Sequence, residues 1–124
     1  MKHVAKKRFG QNFLTDQGVI NSLVEAIAPQ TADLMVEIGP GLGALTKPLL
    51  QKLKQLHVVE VDRDIIAWMQ AEYAKPAYAQ SKIRIHNADA LKFDFSSLGQ
   101  GVRVTGNLPY NISTPILFHL LANV

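Results

Sequence analysis

Two short segments of the sequence combine residue types that could carry out a group transfer. Asn107-Leu108-Pro109-Tyr110 follows the short apolar run 102–105 and offers an amide oxygen, backbone carbonyl oxygens and an aromatic ring. These groups suit a flat, amino-bearing base, because acceptors can take its N–H hydrogens while the ring stacks on it. The turn Gly39-Pro40-Gly41-Leu42-Gly43 leaves room for a nucleotide-like cofactor. Together the two segments indicate methyl transfer to an amino nitrogen.

The first segment suits an aromatic amine, which is a weak nucleophile because its lone pair is delocalised into the ring. The Asn107 side-chain oxygen and the Leu108 carbonyl oxygen could accept both N–H hydrogens and favour a pyramidal nitrogen, while Tyr110 stacks on the base. Pro109 fixes φ and removes a competing N–H. A plain turn before a helix is the alternative. We predict Asn107, Leu108, Pro109 and Tyr110 as the catalytic residues.

Acidic residues follow the predicted strands. Glu37 precedes the glycine turn and could meet an ammonium group, and Glu60, 21 residues after Gly39, could accept both ribose hydroxyls. Asp89 has an oxygen for the exocyclic amine of an adenine. Asp62 competes with Glu60, and each acid could instead cap a helix or a turn. The Gly-x-Gly-x-Gly spacing favours an amino-acid-bearing nucleoside over the pyrophosphate of a dinucleotide.

Alternating helix and strand patterns must position these groups. The sequence predicts strands at 34–38, 57–61, 82–86 and 101–105, and helices from Thr15 to Pro29 and at 44–53, 65–73 and 116–122. This alternation predicts a mostly parallel α/β sheet, with 74–81 as a surface loop. The positions predicted to face the core are Val19, Ile20, Leu23, Val24, Ile27, Leu45, Leu49, Leu50, Leu53 and Trp68.

Composition excludes several classes of protein. With 124 residues, 48% apolar and 19% charged, the chain can bury one modest core. No apolar run is long enough to span a bilayer and no signal peptide follows the basic start, so we expect a soluble cytoplasmic protein. The absence of cysteine and the unpaired spacing of the four histidines predict no metal site.

Basic charge is concentrated at the amino end. The net charge is +3, yet the residues after 14 contain nine bases and ten acids. Such an arm could neutralise phosphates and reach an unpaired or flipped-out base in RNA; a solvated, frayed terminus is the alternative. We predict a basic arm at 1–14 and the N-terminal part of a catalytic domain at 15–124. The predicted RNA-binding residues are Lys2, Lys6, Lys7, Arg8 and Phe9.

Four motifs, in this order, resemble those of the ribosomal RNA adenine dimethyltransferases. They are Lys7-Arg8-Phe9-Gly10-Gln11-Asn12-Phe13-Leu14, Glu37-Ile38-Gly39-Pro40-Gly41-Leu42-Gly43-Ala44-Leu45-Thr46, Glu60-Val61-Asp62 and Asn107-Leu108-Pro109-Tyr110-Asn111-Ile112-Ser113-Thr114-Pro115. The opening motif and Pro115 resemble the bacterial small-subunit enzymes linked to kasugamycin sensitivity. The erythromycin-resistance methyltransferases of the large subunit are the nearer alternative.

The resemblance implies a Rossmann-like, class I fold that uses S-adenosyl-L-methionine. It implies dimethylation of the N6 amines of two adjacent adenines in a hairpin loop near the 3′ end of small-subunit ribosomal RNA, late in subunit assembly. Gln11, Asn12 and Leu14 would close over the cofactor, and Asn107 would contact both cofactor and target. The cofactor-binding residues so implied are Gln11, Asn12, Leu14, Glu37, Gly39, Gly41, Glu60, Val61, Asp89, Ala90 and Asn107.

Family members continue beyond this length, with the rest of a seven-stranded sheet and a small helical domain. We therefore expect an incomplete sheet and the N-terminal part of a longer, monomeric protein. A non-catalytic role in ribosome assembly or nucleic-acid binding remains open, although an intact Asn-Leu-Pro-Tyr favours retained chemistry. A nicotinamide-dependent oxidoreductase would leave that segment unexplained.

Overall fold

The computed structural model describes residues 17–80 and 82–106. The predicted basic arm, the segment 107–110 and the predicted last helix lie outside this part. The described helices are α1 (Gln17–Ile27), α2 (Thr46–Lys52) and α3 (Arg63–Tyr73), and the strands are β1 (Met35–Ile38), β2 (Gln55–Glu60), β3 (Lys82–Asn87) and β4 (Arg103–Gly106). Short 3-10 helices lie at Pro76–Tyr78 and Phe95–Leu98. None of the described helices is long and apolar enough to cross a membrane.

The four strands form one parallel sheet in the order β3-β2-β1-β4, which confirms the predicted architecture. Their carboxyl ends are aligned, since Ile38 of β1 pairs with both Val59 and Gly106, and Glu60 pairs with Asn87. The chain moves outward from β1 to β3 and then returns to the other side of β1. Such a reversal opens a crevice at the carboxyl ends of the strands.

Each face of the sheet has its own apolar cluster. One cluster joins the sheet to α1, α2 and α3 and includes the predicted leucines; its buried members are Ile20, Val24, Met35, Leu45, Leu49, Leu50, Leu53, Leu56, Val58, Ile65, Met69 and Tyr73. The smaller cluster on the other face contains Val36, Ile38, Val59 and Phe95. The prediction for Val19 was wrong, because Ile20 and Val24 form the inward stripe of α1 and Val19, beside it, is 44% exposed.

The boundaries of some elements differ from the predicted ones. The glycine turn delays the start of α2 to Thr46, and β4 begins at Arg103 rather than 101. The predicted loop 74–81 is partly anchored, since the Tyr78 ring meets Tyr73 edge-on with 4.8 Å between centroids. Trp68 packs half-buried against the larger core cluster, as predicted.

An arginine of the sheet holds the end of the first helix. Arg103, at the start of β4, donates to the Asp33 carboxylate at 2.7 Å and to the carbonyl oxygen of Ile27, the last residue of α1. Ala28, directly after α1, has a φ of 48°. The arginine satisfies carbonyl groups that a helix end leaves without partners. It therefore fixes α1 against β4.

Strand β4 approaches β1 unusually closely at its last residue. A Cβ at Gly106 would lie 2.5 Å from the carbonyl oxygen of Ile38, a backbone atom that no side-chain rotation can move away. Only glycine fits this gap without displacing a strand. Gly106 directly precedes Asn107 in the sequence, so this close approach lies next to the predicted catalytic segment.

We predict that Gly106→Ala separates β4 from β1 at their carboxyl ends. The expected cost is about 1 to 3 kcal/mol of unfolding free energy, because the added methyl overfills the gap. Urea denaturation measures this cost, and hydrogen exchange of the β1 and β4 amides locates it. Gly101→Ala is the control, because a Cβ there meets no atom within 4 Å and only the positive φ opposes it. The prediction would be contradicted if Gly106→Ala lowered the free energy of unfolding by less than Gly101→Ala does.

Candidate functional site

The glycine turn folds the chain back sharply at the carboxyl end of β1. Gly39, Gly41 and Gly43 have φ values of 63°, 58° and 89°, in the left-handed region that other residues rarely adopt. The Gly39 N–H donates to the carbonyl oxygen of Val59 at 3.0 Å, and this bond ties the turn to β2. The turn therefore lies at the crevice predicted from the order of the strands.

The Glu60 carboxylate lies beside this turn. Its Oε2 accepts the N–H groups of Val61 and Asp62, both at 3.0 Å. Burial raises the pKa of Glu60, and the N–H groups of Asp62, Val61 and Gly41 oppose that rise. The contact with Gly41 brings the predicted ribose acceptor next to the predicted cofactor turn.

Asp62, the competitor of Glu60, has a structural role. Its Oδ1 accepts from the N–H groups of Asp64 at 2.9 Å and Ile65 at 3.3 Å, which caps the first turn of α3. Of the two acids, Glu60 is thus the one directed at the glycine turn. The arrangement favours Glu60 as the ribose acceptor.

Asp89 lies in the turn after β3, at the same edge of the sheet as Glu60. Its Oδ1 accepts from the Leu91 N–H at 2.9 Å, so this carboxylate also shapes its own turn. Ala90 is partly buried and packs against the smaller core cluster. Whether Asp89 and Ala90 contact an adenine stays a prediction.

Asn87 links the two acidic turns and was missed by the sequence analysis. Its Nδ2 donates to the carbonyl oxygens of Glu60 at 3.0 Å and Val61 at 3.3 Å, and the Ala88 N–H donates to the same Glu60 oxygen at 3.1 Å. The side chain therefore fixes the end of β2 relative to the turn that carries Asp89. The sequence did contain a signal for this role, because Asn87 is a polar residue at the last position of a strand.

Glu37 lies behind the glycine turn and is only 1% exposed. The Thr46 hydroxyl donates to its Oε1 at 2.5 Å. Burial, with a contribution from the charge of Glu60, raises the pKa of Glu37 to about 7, although the bond from Thr46 opposes the rise. A direct contact with a ligand ammonium stays a prediction, and the observed position favours a supporting role beneath the turn.

Tyr73 supports the same turn from α3. Its hydroxyl is buried and has no hydrogen-bond partner among the described residues. A Cβ at Gly43 would lie 2.7 Å from that oxygen, so the tyrosine fills the space that the glycine leaves. Burial raises the pKa of Tyr73, which stays neutral. No role for this residue was predicted from the sequence.

The rim of the crevice combines these acids with exposed apolar side chains. Val61 is 56% exposed and Leu91 is 39% exposed, beside Glu60 and Asp89 respectively, and Leu42 is 42% exposed in the turn. The carboxylates can accept hydrogen bonds from hydroxyl and amino groups, and the apolar side chains can pack against a ring. This combination fits a purine nucleoside. Within 17–80 and 82–106 no group of histidines and acids could hold a metal ion.

This sheet order, with a glycine turn after β1 and acids after β2 and β3, is that of a Rossmann-like fold, and the solved structures that share it are methyltransferases of class I. A dimethyladenosine transferase from Plasmodium falciparum superposes with a TM-score of 0.73 at 27% identity, over 86% of this chain and 37% of that chain. The 23S rRNA methyltransferase ErmE superposes with a TM-score of 0.68 at 26% identity, over 86% of this chain and 41% of that chain.

The chain belongs to the ribosomal RNA adenine dimethylase family, whose model matches residues 2–124. A ribosomal RNA small subunit methyltransferase A from Methylobacillus flagellatus is 68% identical over the whole chain. The chain spans 47% of the length of that relative.

We predict that Glu37→Gln changes how stability depends on pH. The folded protein raises the pKa of Glu37 from 4.5 to about 7, so the stabilisation by its protonated form is complete below pH 4.5 and is lost as pH rises through about 7. Glutamine stays neutral and accepts from Thr46 at every pH. The free energy of unfolding of the variant, measured relative to that of the parent, should therefore increase between pH 5 and pH 8 by on the order of 2 to 3 kcal/mol.

Urea denaturation of both proteins at the two pH values measures this gain. Burial lowers the pKa of both His57 and His86, so their protonation destabilises the protein in acid. Both proteins contain these histidines, and their effect therefore cancels in the difference between parent and variant. A difference between parent and variant that is equal at pH 5 and pH 8 would show that Glu37 does not titrate in this range.

Proposed function

We propose that this chain carries the cofactor-binding part of an enzyme that dimethylates the N6 amines of two adjacent adenines in small-subunit ribosomal RNA, with S-adenosyl-L-methionine as methyl donor. The observation that carries the proposal is the Glu60 carboxylate against the positive-φ glycine turn, within a chain whose family match runs from residue 2 to 124. Membership of the family supports ribosomal RNA as the substrate. The geometry at the carboxyl edge of the sheet supports S-adenosyl-L-methionine as the methyl donor.

The described residues suit the nucleoside end of the donor. Glu60 accepts the ribose hydroxyls, Asp89 accepts from the adenine amine, and Val61 provides exposed apolar surface between them. Gly39 and Gly41 allow the backbone to approach the methionine part, with Glu37 held beneath the turn by Thr46. When bound, the donor supplies an electrophilic methyl group.

The residues that act on the target belong to segments outside the described part. Asn107 and Leu108 accept the N–H hydrogens of the adenine amine, Pro109 keeps that turn rigid, and Tyr110 stacks on the base. Gln11, Asn12 and Leu14 close over the donor. The basic arm, with Lys2, Lys6, Lys7, Arg8 and Phe9, binds the RNA backbone and neighbouring bases.

The small subunit is favoured over the large one as the substrate. The Methylobacillus relative, named for the small subunit, is 68% identical to the chain, whereas ErmE, which acts on 23S rRNA, is 26% identical. The protein then works in the cytoplasm, as a monomer and without a metal, on an assembling small subunit.

We predict that Glu60→Ala weakens binding of S-adenosylhomocysteine by roughly ten- to a hundredfold, because the ribose loses its charged acceptor. Isothermal titration of the full chain measures the affinity, with NADH as the comparison ligand. Glu25→Ala removes an exposed acid of α1 and serves as the control. A Glu60→Ala protein that binds as tightly as the parent, or a parent that prefers NADH, would contradict the proposed cofactor.

We predict that Asn107→Ala lowers kcat by roughly a hundredfold or more, with the affinity for S-adenosylhomocysteine changed much less, because the lost acceptor acts mainly on the target amine. Transfer of tritiated methyl groups to undermethylated 30S particles by the full-length protein measures kcat, because the 124 residues alone are expected to bind the cofactor without turnover. Protein-free large-subunit RNA is the comparison substrate. Methylation of the large-subunit RNA alone would replace the proposed substrate with that of the erythromycin-resistance enzymes.

A further inference from the structure

Charge is distributed unevenly along the strands of the sheet. Residues 17–106 contain nine basic and nine acidic side chains, so this part has no net excess of either sign. The acids Glu37, Glu60 and Asp89 lie at the carboxyl edge, around the proposed cofactor site. In contrast, residues 51–59 and 74–88, which contain β3 and all of β2 except its last residue, Glu60, have five lysines and arginines and no acid.

Four of these cations lie toward the opposite end of the sheet. Lys52 ends α2 and Lys54 immediately precedes β2, while Lys82 and Arg84 pair in register with Gln55 and His57 of β2. All four side chains are exposed. We name this group, Lys52, Lys54, Lys82 and Arg84, the amino-edge basic cluster.

Within the described part of the chain, no acid forms a salt bridge with a member of this cluster. Among residues 17–80 and 82–106, the salt bridges join Lys47 and Lys75 to Glu72, and Arg103 to Asp33, and none involves the four cations. Exposed cations without acidic partners raise the local potential and attract a polyanion, whereas paired ones do so weakly. The cluster is thus a positively charged surface without an acidic partner among the residues that the structure describes.

The cluster is separate from the cofactor site. Strand β2 runs from Gln55, beside the cluster, to Glu60, beside the glycine turn. Five residues of extended chain span roughly 17 Å. A small ligand cannot reach both ends of β2, but a folded RNA can. Phosphates are also repelled by the acids at the carboxyl edge, so the backbone of an RNA needs a positive surface elsewhere.

We propose that the amino-edge basic cluster binds the phosphate backbone of the RNA substrate, at a position remote from the methylated base. This inference rests on the proposed function, which supplies the RNA. The cluster contributes affinity that does not depend on base sequence, because its lysines and arginine meet phosphates. It acts as a second anchor that orients the particle while the target base enters the crevice.

The test uses the double variant Lys82→Gln/Arg84→Gln of the full chain and purified small-subunit ribosomal RNA, without cofactor. Affinity should fall about tenfold near 0.1 M salt, and the slope of log K against log salt should decrease by about 1.5 to 2, for two lost phosphate contacts. The variant Lys47→Gln/Lys75→Gln changes the net charge equally at lysines already paired with Glu72, and should retain most of the affinity. Lys82→Arg/Arg84→Lys keeps both charges and should bind like the parent.

Several results would overturn the proposal. An unchanged affinity and salt slope in the Lys82→Gln/Arg84→Gln variant would do so, and so would an equal loss in the Lys47→Gln/Lys75→Gln control. Binding of S-adenosylhomocysteine should match the parent in all variants, which shows that the fold is intact. A parent that binds RNA through the cluster but does not bind S-adenosylhomocysteine would contradict the proposed cofactor and leave the cluster supported.

Discussion

The site depends on the hydrogen bonds that converge on Glu60. Its carboxylate accepts the N–H groups of Val61 and Asp62, and its carbonyl oxygen accepts from Asn87 and Ala88. One residue therefore joins the end of β2 to the turn after β3 and lies against Gly41 of the glycine turn. Because the Oε2 atom and the carbonyl oxygen of Glu60 are both hydrogen-bonded within the protein, the fold holds this carboxylate in place at the edge of the sheet.

Beneath this edge the protein keeps polar groups in the core. Glu37 is buried, accepts from Thr46 and has a pKa raised by that burial, and the nearby Tyr73 hydroxyl has no partner among the described residues. An uncharged, hydrogen-bonded carboxyl costs much less to bury than an ionised one. These groups support a turn in which three of the five residues are glycines, which contribute no side chains to the packing.

The fold could largely be predicted because its signals are local. The strand patterns predicted at 34–38 and 57–61 and the amphipathic pattern of α3 depend on residues close in sequence, and the parallel sheet followed from their alternation. The acids at the carboxyl edge were predicted for the same reason. Asn87, Tyr73 and Gly106 were missed, because their roles depend on atoms of Val61, Gly43 and Ile38 that only the folded chain brings near. Val19 was assigned wrongly because helical spacing does not define how wide the buried stripe is.

Trp68 is the only tryptophan of the chain, and its ring lies close to the glycine turn. The ring carbon Cζ3 would be 3.8 Å from a Cβ at Gly43, and the Lys47 ammonium lies 5.9 Å from the ring centroid. Indole emission responds to nearby charge and to the water around the ring. The half-buried tryptophan thus gives the protein an intrinsic fluorophore at the base of this turn, and its spectrum can follow events there without an attached dye.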